Sequence, residues 1–380
     1  MRRRTIPTIA DRGDRSGPAP HSPLFSRRHF VLNAGVIACV GLIGVKARAE
    51  FPRAADIQAA QAEKKVVIYA TTDSEYAQPL YDAFTRKYGI AVEQNALATS
   101  NLYSQVIAEA AANQVGSDVV WSAAMDLQMA LQAAGLAQPY VSEETRALPA
   151  WARYKDTLFA TSVEPVGFAY NTRALQAEEL PRTYAELIRF IAESPKLRGH
   201  VATTDAEKSG LAYMFHANDA KTRSDYWQLA TAMGKAGVKT YLGSSNVLES
   251  ITSGENALAT HIISSYALQL QKRNPNLRAL FLTDYTPCLM RVSFISAGAP
   301  RPNAARLLQD FMLSRDGQDI MAASGLPAVR EDGTSSPLQK LKAMTGVEAE
   351  PIKLDETLLE NIDKTKRLAF VREWKKAIGR

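Results

Sequence analysis

Residues 66–70, Val-Val-Ile-Tyr-Ala, form a short unbroken apolar run followed at once by a helical pattern, and this pairing constrains the fold more than any other feature. An apolar run of that length suits a strand covered on both faces. The helical pattern carries Leu80, Phe84 and Tyr88 at four-residue intervals, with Pro79 expected in its first turn and Gly89 placed to end it in the left-handed conformation. Residues 90–93 then read as a second strand, completing a βαβ unit. The grammar continues with helices predicted over 99–113 and 125–136 and strands over 118–121 and 166–171. From Pro181 it restarts, with helices over 183–192, 211–217 and 225–236 and strands over 200–202 and 238–241. Strand and helix alternating at this spacing imply an open, mostly parallel sheet.

Two α/β units in series, with no linker rich in Pro, Gly or Ser between them, suggest two lobes joined by strands that cross from one to the other. Crossings are expected over residues 163–172 and 284–296, with 291–295 as the return strand and 303–313 as a helix restored to the first lobe. The expected division is a leader over 1–49, a first lobe over 50–165 and 291–332, a second lobe over 166–290, and a C-terminal helical extension over 333–380. The size agrees, since the residues beyond the leader exceed what one hydrophobic core usually organises.

The leader is read from residues 26–32, Ser-Arg-Arg-His-Phe-Val-Leu, which set paired arginines before an apolar run ending in Ala47-Arg48-Ala49. This resembles the signal read by the bacterial twin-arginine translocase, with cleavage expected after Ala49 and function outside the cytoplasm, in the periplasm. The apolar segment 30–45 is shorter than the roughly 20 residues that span a bilayer. Residues 36–39 also look like a lipoprotein cleavage box, so acylation of Cys39 is a second, less favoured outcome. The formal charge of +6 comes entirely from this leader, which holds nine Lys and Arg against two Asp. Without it 36 basic residues face 37 acidic ones, a net of −1, so the high pI gives no footprint for nucleic acid or anionic lipid. Cys288 is then the single cysteine left, which excludes an internal disulfide and reads as a buried apolar residue.

Catalytic signatures are missing. His200, His216 and His261 have no HExxH spacing and no cysteine pair beside them, and the chain has no GxSxG, GxxxxGK or GxGxxG element in a fitting place. No catalytic residue, metal ligand or cofactor is expected. What recurs is hydroxyl and amide side chains where a strand ends and a helix begins: Thr71 to Ser74, Thr99 to Asn101, Ser122, Lys208-Ser209-Gly210, Ser244-Ser245-Asn246 and Ser264-Ser265-Tyr266. Asn246 and Glu249 have the spacing of a capping box. Singly these are ordinary helix caps. Gathered across one cleft, they would turn unpaired N–H groups and the partial positive charge of several helix starts toward a small anionic ligand.

In their order along the chain, residues 66–84, 117–140, 166–172 (VGFAYNT), 241–259 with Ser253-Gly254-Glu255, and 297–330 with Leu313-Ser314-Arg315-Asp316-Gly317-Gln318 resemble the bacterial extracellular solute-binding proteins that include ferric-ion, thiamine, phosphonate and phosphoglycerate binders. The resemblance implies a type II periplasmic binding protein fold: two α/β lobes joined by crossing strands that close on a ligand in a central cleft. It implies a monomer that serves an ABC permease and its ATPase in the inner membrane, or alternatively signals to a membrane histidine kinase. Ferric-ion binding is a further alternative. Ferric-ion relatives place adjacent tyrosines where this chain has Tyr266-Ala267, a glutamate near Ala123 and often a histidine at Asp73, so this chain lacks hard oxygen ligands that Fe³⁺ requires. Ser209-Gly210 matches a Ser-Gly that holds phosphate in relatives. The ligand is accordingly expected to be a small phosphorylated or carboxylated metabolite. Its expected contacts are Thr72, Asp73, Ser100, Ser122, Ser209, Gly210, Asn246, Ser264, Ser265, Tyr266 and Arg291.

Overall fold

The structure is a computed structural model that describes residues 54–331 and 336–380, all within one compact unit. The twin arginines, the cleavage site after Ala49 and Cys39 lie outside the described residues. Helix α1 (Ala54–Ala62) leads into strand β1 (Lys65–Ala70), helix α2 (Ser74–Tyr88), β2 (Ala91–Ala96), α3 (Thr99–Ala111), β3 (Val119–Ser122) and α4 (Met125–Ala133). A short α5 (Glu143–Arg146) and β4 (Arg153–Tyr154) precede the long β5 (Leu158–Asn171). Next come α6 (Tyr184–Glu193), β6 (Val201–Thr204), α7 (Gly210–Thr222), α8 (Tyr226–Lys235), β7 (Lys239–Tyr241), α9 (Ser244–Ser253), β8 (Leu258–Ile263) and α10 (Ser264–Leu270). The chain returns through β9 (Leu277–Leu280) and β10 (Pro287–Ile295) to α11 (Pro302–Leu313) and α12 (Arg315–Ala323), and ends in α13 (Pro337–Thr345), β11 (Glu350–Pro351) and α14 (Lys364–Ala377).

The strands run β2-β1-β3-β10-β5-β8-β6-β7 across the sheet. At each end the pairs are parallel, β1 with β2 and β3, and β6 with β7 and β8. The centre is antiparallel, because β10 and β5 run against their neighbours. Strand β5 joins the two regions: Phe159 to Pro165 pair with β10, and Val166 to Asn171 pair with β8 and β9. All fourteen of its residues are buried, which explains a strand twice as long as the 166–171 segment that the apolar pattern marks. The expected second crossing over 284–296 is narrower, with β10 starting at Pro287 and pairing only with β3, β5 and β11.

Helix α2 buries Tyr76, Ala77, Leu80, Tyr81 and Phe84 on one face. Gly89 closes it at φ 71° and returns its N–H to the Thr85 carbonyl at 2.8 Å, as the sequence indicates. Pro79, however, lies inside this helix rather than in its first turn, because the helix starts earlier, at Ser74. It costs the helix one N–H on an exposed face.

The C-terminal extension packs on both halves of the sheet. A 3-10 helix over Glu356–Ile362 sits against α4, while α14 sits against α8 and buries Trp374 completely among the second cluster of core side chains. Asn361 joins the two sides, donating to Asp126 of α4 at 3.3 Å and accepting from Lys221 of α7 at 2.8 Å. Burial raises the Asp126 carboxyl to about 6, opposed by hydrogen bonds from the Leu127 N–H and Asn361. An unfolded Asp titrates near 3.9, so this group contributes stability that is present below about pH 4 and lost as pH rises through about 6. The Asp126→Asn variant is therefore expected to gain about 1–3 kcal/mol on wild type at pH 8 and almost nothing at pH 4. Urea unfolding at the two pH values checks this, and an equal gap at both would contradict it.

Candidate functional site

A chamber of about 480 Å³ opens where strands from both halves of the sheet end and helices begin. From one side it is lined by the Thr71-Thr72-Asp73 turn into α2 and by Thr99 and Ser100 at the start of α3. The other side supplies Lys208 and Ser209 ahead of α7, and Ser244, Ser245 and Asn246 at the start of α9. Each half thus turns the amino ends of two helices toward one space, where their first N–H groups have no partner within the helix. Ser209 caps α7, accepting from the Ala212 N–H at 3.3 Å.

The floor is a buried ionic network centred on Arg291, which is 0 % exposed. Its Nε donates to Glu164 Oε1 at 2.7 Å and Nη2 to Glu164 Oε2 at 3.3 Å. Nη2 also donates to the Tyr266 hydroxyl at 2.9 Å, and Nη1 to Thr72 Oγ1 at 3.0 Å. Glu164 is further held by hydroxyl donors on Ser162 (2.6 Å) and Ser265. A guanidinium has five N–H donors, so one N–H on Nη1, at the chamber wall, keeps no acceptor among the described residues. Backbone irregularity places this side chain: pairing of β10 with β5 slips next to Arg291, leaving Thr161 as an extra residue. Thr161 Oγ1 donates to the Arg291 carbonyl at 3.0 Å and accepts from Trp121 Nε1 at 2.8 Å, which pins the bulge.

Several contacts join the two halves around the chamber. Ser245 Oγ donates to Asp73 Oδ2 at 2.6 Å, the Leu211 N–H donates to Thr99 Oγ1 at 3.3 Å, and Arg273 pairs with Glu75. Tyr76 of α2 stacks on Tyr266 of α10, with centroids 4.1 Å apart and planes within 4°. Burial pushes both phenols up, Tyr76 to about 12, so both stay protonated and uncharged at neutral pH.

Of the residues expected from sequence, Thr72, Asp73, Ser100, Ser209, Asn246, Tyr266 and Arg291 line the chamber together. The other four do not. Ser122 shapes the turn after β3, accepting from Thr71 Oγ1 and the Ala124 N–H. Ser265 is spent on Glu164. Ser264 is fully buried, with its hydroxyl turned to the space above Gly167 of β5. Gly210 faces the opposite half so closely that an added Cβ would lie 2.9 Å from Leu127 Cδ1 and 3.2 Å from Ser100 Oγ. The expected Asn246–Glu249 capping box is also absent: α9 starts at Ser244 behind Gly243, which puts Asn246 inside the first turn, where it lines the chamber. Sequence reasoning missed Glu164; it placed Thr71, Thr99, Lys208, Ser244 and Ser245 at helix starts but did not count them among the ligand contacts, and all five line the chamber. Among the described residues no three His, Cys, Asp or Glu side chains gather as a metal site. No described helix is long and apolar enough to cross a membrane.

Two α/β halves facing one chamber ringed by helix starts make the architecture of a two-sided binding protein. The sequence profile of bacterial extracellular solute-binding proteins matches residues 79–346, more than half of the chain, and the protein belongs to that family. The substrate-binding protein of an ABC transporter from Agrobacterium tumefaciens is similar in structure, with a TM-score of 0.78 and 30% identity over 83% of this chain and 94% of that one. Iron-bound HitA from Pseudomonas aeruginosa superposes with a TM-score of 0.66 at 18% identity, covering 82% of this chain and 99% of its own. AfuA from Actinobacillus pleuropneumoniae, solved with exogenous fructose-6-phosphate bound, gives 0.64 at 19% identity over 83% and 98%. Those two support the fold alone, the type II periplasmic binding protein fold. No curated protein matches the chain.

Proposed function

We propose that the protein captures a small phosphorylated or carboxylated metabolite in the periplasm and delivers it to an ABC permease, binding it between two lobes without altering it. The lobes are residues 50–165 with 291–332, and residues 166–290, and they close about β5 and β10. One observation carries the reading: buried Arg291, with one Nη1 N–H left unspent, lines a chamber ringed by four helix starts. A buried guanidinium recognises an oxyanion with charge-assisted hydrogen bonds, and helix N–H groups add donors without mobile side chains. The likeness to the Agrobacterium substrate-binding protein supports the transporter assignment. Fe³⁺ fits the chamber less well, since Asp73 is the one carboxylate among its described lining residues and the Tyr266 hydroxyl is engaged by Arg291.

The test is a thermal-shift panel of phosphate esters, dicarboxylates and Fe³⁺ on the purified protein. A true ligand at about 100 times its dissociation constant stabilises by about 2.7 kcal/mol. Stabilisation by an organic anion, lost on Ser209→Leu, is the expected result. Stabilisation by Fe³⁺ with every organic anion silent would overturn it.

A further inference from the structure

The ligand end opposite the anion is legible too. Asp73 stands in the wall of a chamber whose other features attract negative charge. Only its Oδ2 is engaged, by Ser245 from the opposite half, and Oδ1 has no hydrogen-bond partner among the described residues. A carboxylate in this position repels a plain dianion and attracts a cation. Beyond the Asp73–Ser245 bridge lies a second pocket of about 340 Å³ that shares Asp73, Ser245 and Tyr266 with the chamber. It adds Glu75 and Glu249 but a single cation, Arg273, already paired with Glu75. The outer pocket is therefore acidic, and the inner one is built for an anion.

Resting on the anion reading above, we propose that the ligand is a zwitterion: its acidic group lies against Arg291 and the helix starts, and its ammonium group lies against Asp73 at the partition between the pockets. An ammonium donates one of its three N–H groups to the free Oδ1 and draws further attraction from Glu249, which has no cation paired with it among the described residues. Asp73 is then the residue that decides between zwitterions and simple anions of the same size.

Calorimetric titration of the purified protein with two matched pairs tests this. Phosphoethanolamine is compared with propyl phosphate, and 4-aminobutanoate with pentanoate, each pair differing only in ammonium against methyl. In at least one pair the ammonium ligand is expected to bind about tenfold tighter or more. Asp73→Asn should shrink that ratio to less than about twofold, weakening the zwitterion and tightening the plain anion. Plain anions binding as well as their zwitterions, or a preference that survives in Asp73→Asn, would overturn the inference and leave the anion reading standing. Failure of all four compounds to bind would overturn the inference, while the anion reading is decided separately by the thermal-shift panel.

Discussion

Replacing Arg291 with alanine is expected to cost the fold about 3–5 kcal/mol and to abolish ligand capture, because it leaves Glu164 as an unpaired charge in the core. Both side chains are almost fully buried, at 1% and 0% exposure, so water cannot compensate for the lost partner. The Ser162 and Ser265 hydroxyls remain, but neutral donors replace only part of a two-point ionic contact. Arg291→Lys keeps the charge but cannot reach Glu164, Thr72 and Tyr266 at once, and should fall between alanine and wild type. Changing Glu164 together with Arg291, to Gln and Met, should recover much of the stability and none of the binding. Urea unfolding with calorimetric titration separates the two effects. A stable Arg291→Ala that still binds organic anions would remove the site from this place in the molecule.

The second large effect concerns the C-terminal helix. Trp374→Ala is expected to destabilise by about 3–5 kcal/mol, the cost of deleting a fully buried indole and leaving its space unfilled. The indole packs beside His216 of α7, with ring centroids 5.4 Å apart, and the end of α14 lies directly on Gly234 of α8. A Cβ at Gly234 would come within 2.2 Å of the Ala377 carbonyl oxygen, so this helix end has no room to shift sideways. A loss below about 1 kcal/mol by denaturant unfolding would show that α14 is an appendage rather than part of the core.

That result bears on what the sequence discloses. The α14 segment carries seven Lys and Arg between 364 and 380, which reads as a solvated face, and its single indole gives no periodic signal. Its docking depends on Gly234, more than a hundred residues away. The βαβ units, by contrast, are legible because unbroken apolar runs, four-residue periodicity and a left-handed Gly89 are local properties. Strand β5 was half visible: Val166 to Asn171 is apolar, whereas the preceding Thr161, Ser162 and Glu164 look like surface until Arg291 is brought beside them.

The candidate site divides the same way. Helix starts follow from local sequence, so Thr72, Ser100, Ser209 and Asn246 were found. Which hydroxyl of a cluster faces the chamber depends on where the helix begins and on what the neighbouring strand needs. Ser264 and Ser265 sit beside Tyr266, yet both turn to β5, one to Gly167 and the other to Glu164. Only Tyr266 reaches the chamber.

The most direct measurement is a crystal structure of the protein grown with the organic anion that stabilises it most. The account predicts anion oxygens within hydrogen-bonding distance of Arg291 Nη1 and of backbone N–H groups opening α7 or α9. An anion bound outside the chamber, with Arg291 contacting protein alone, would contradict it.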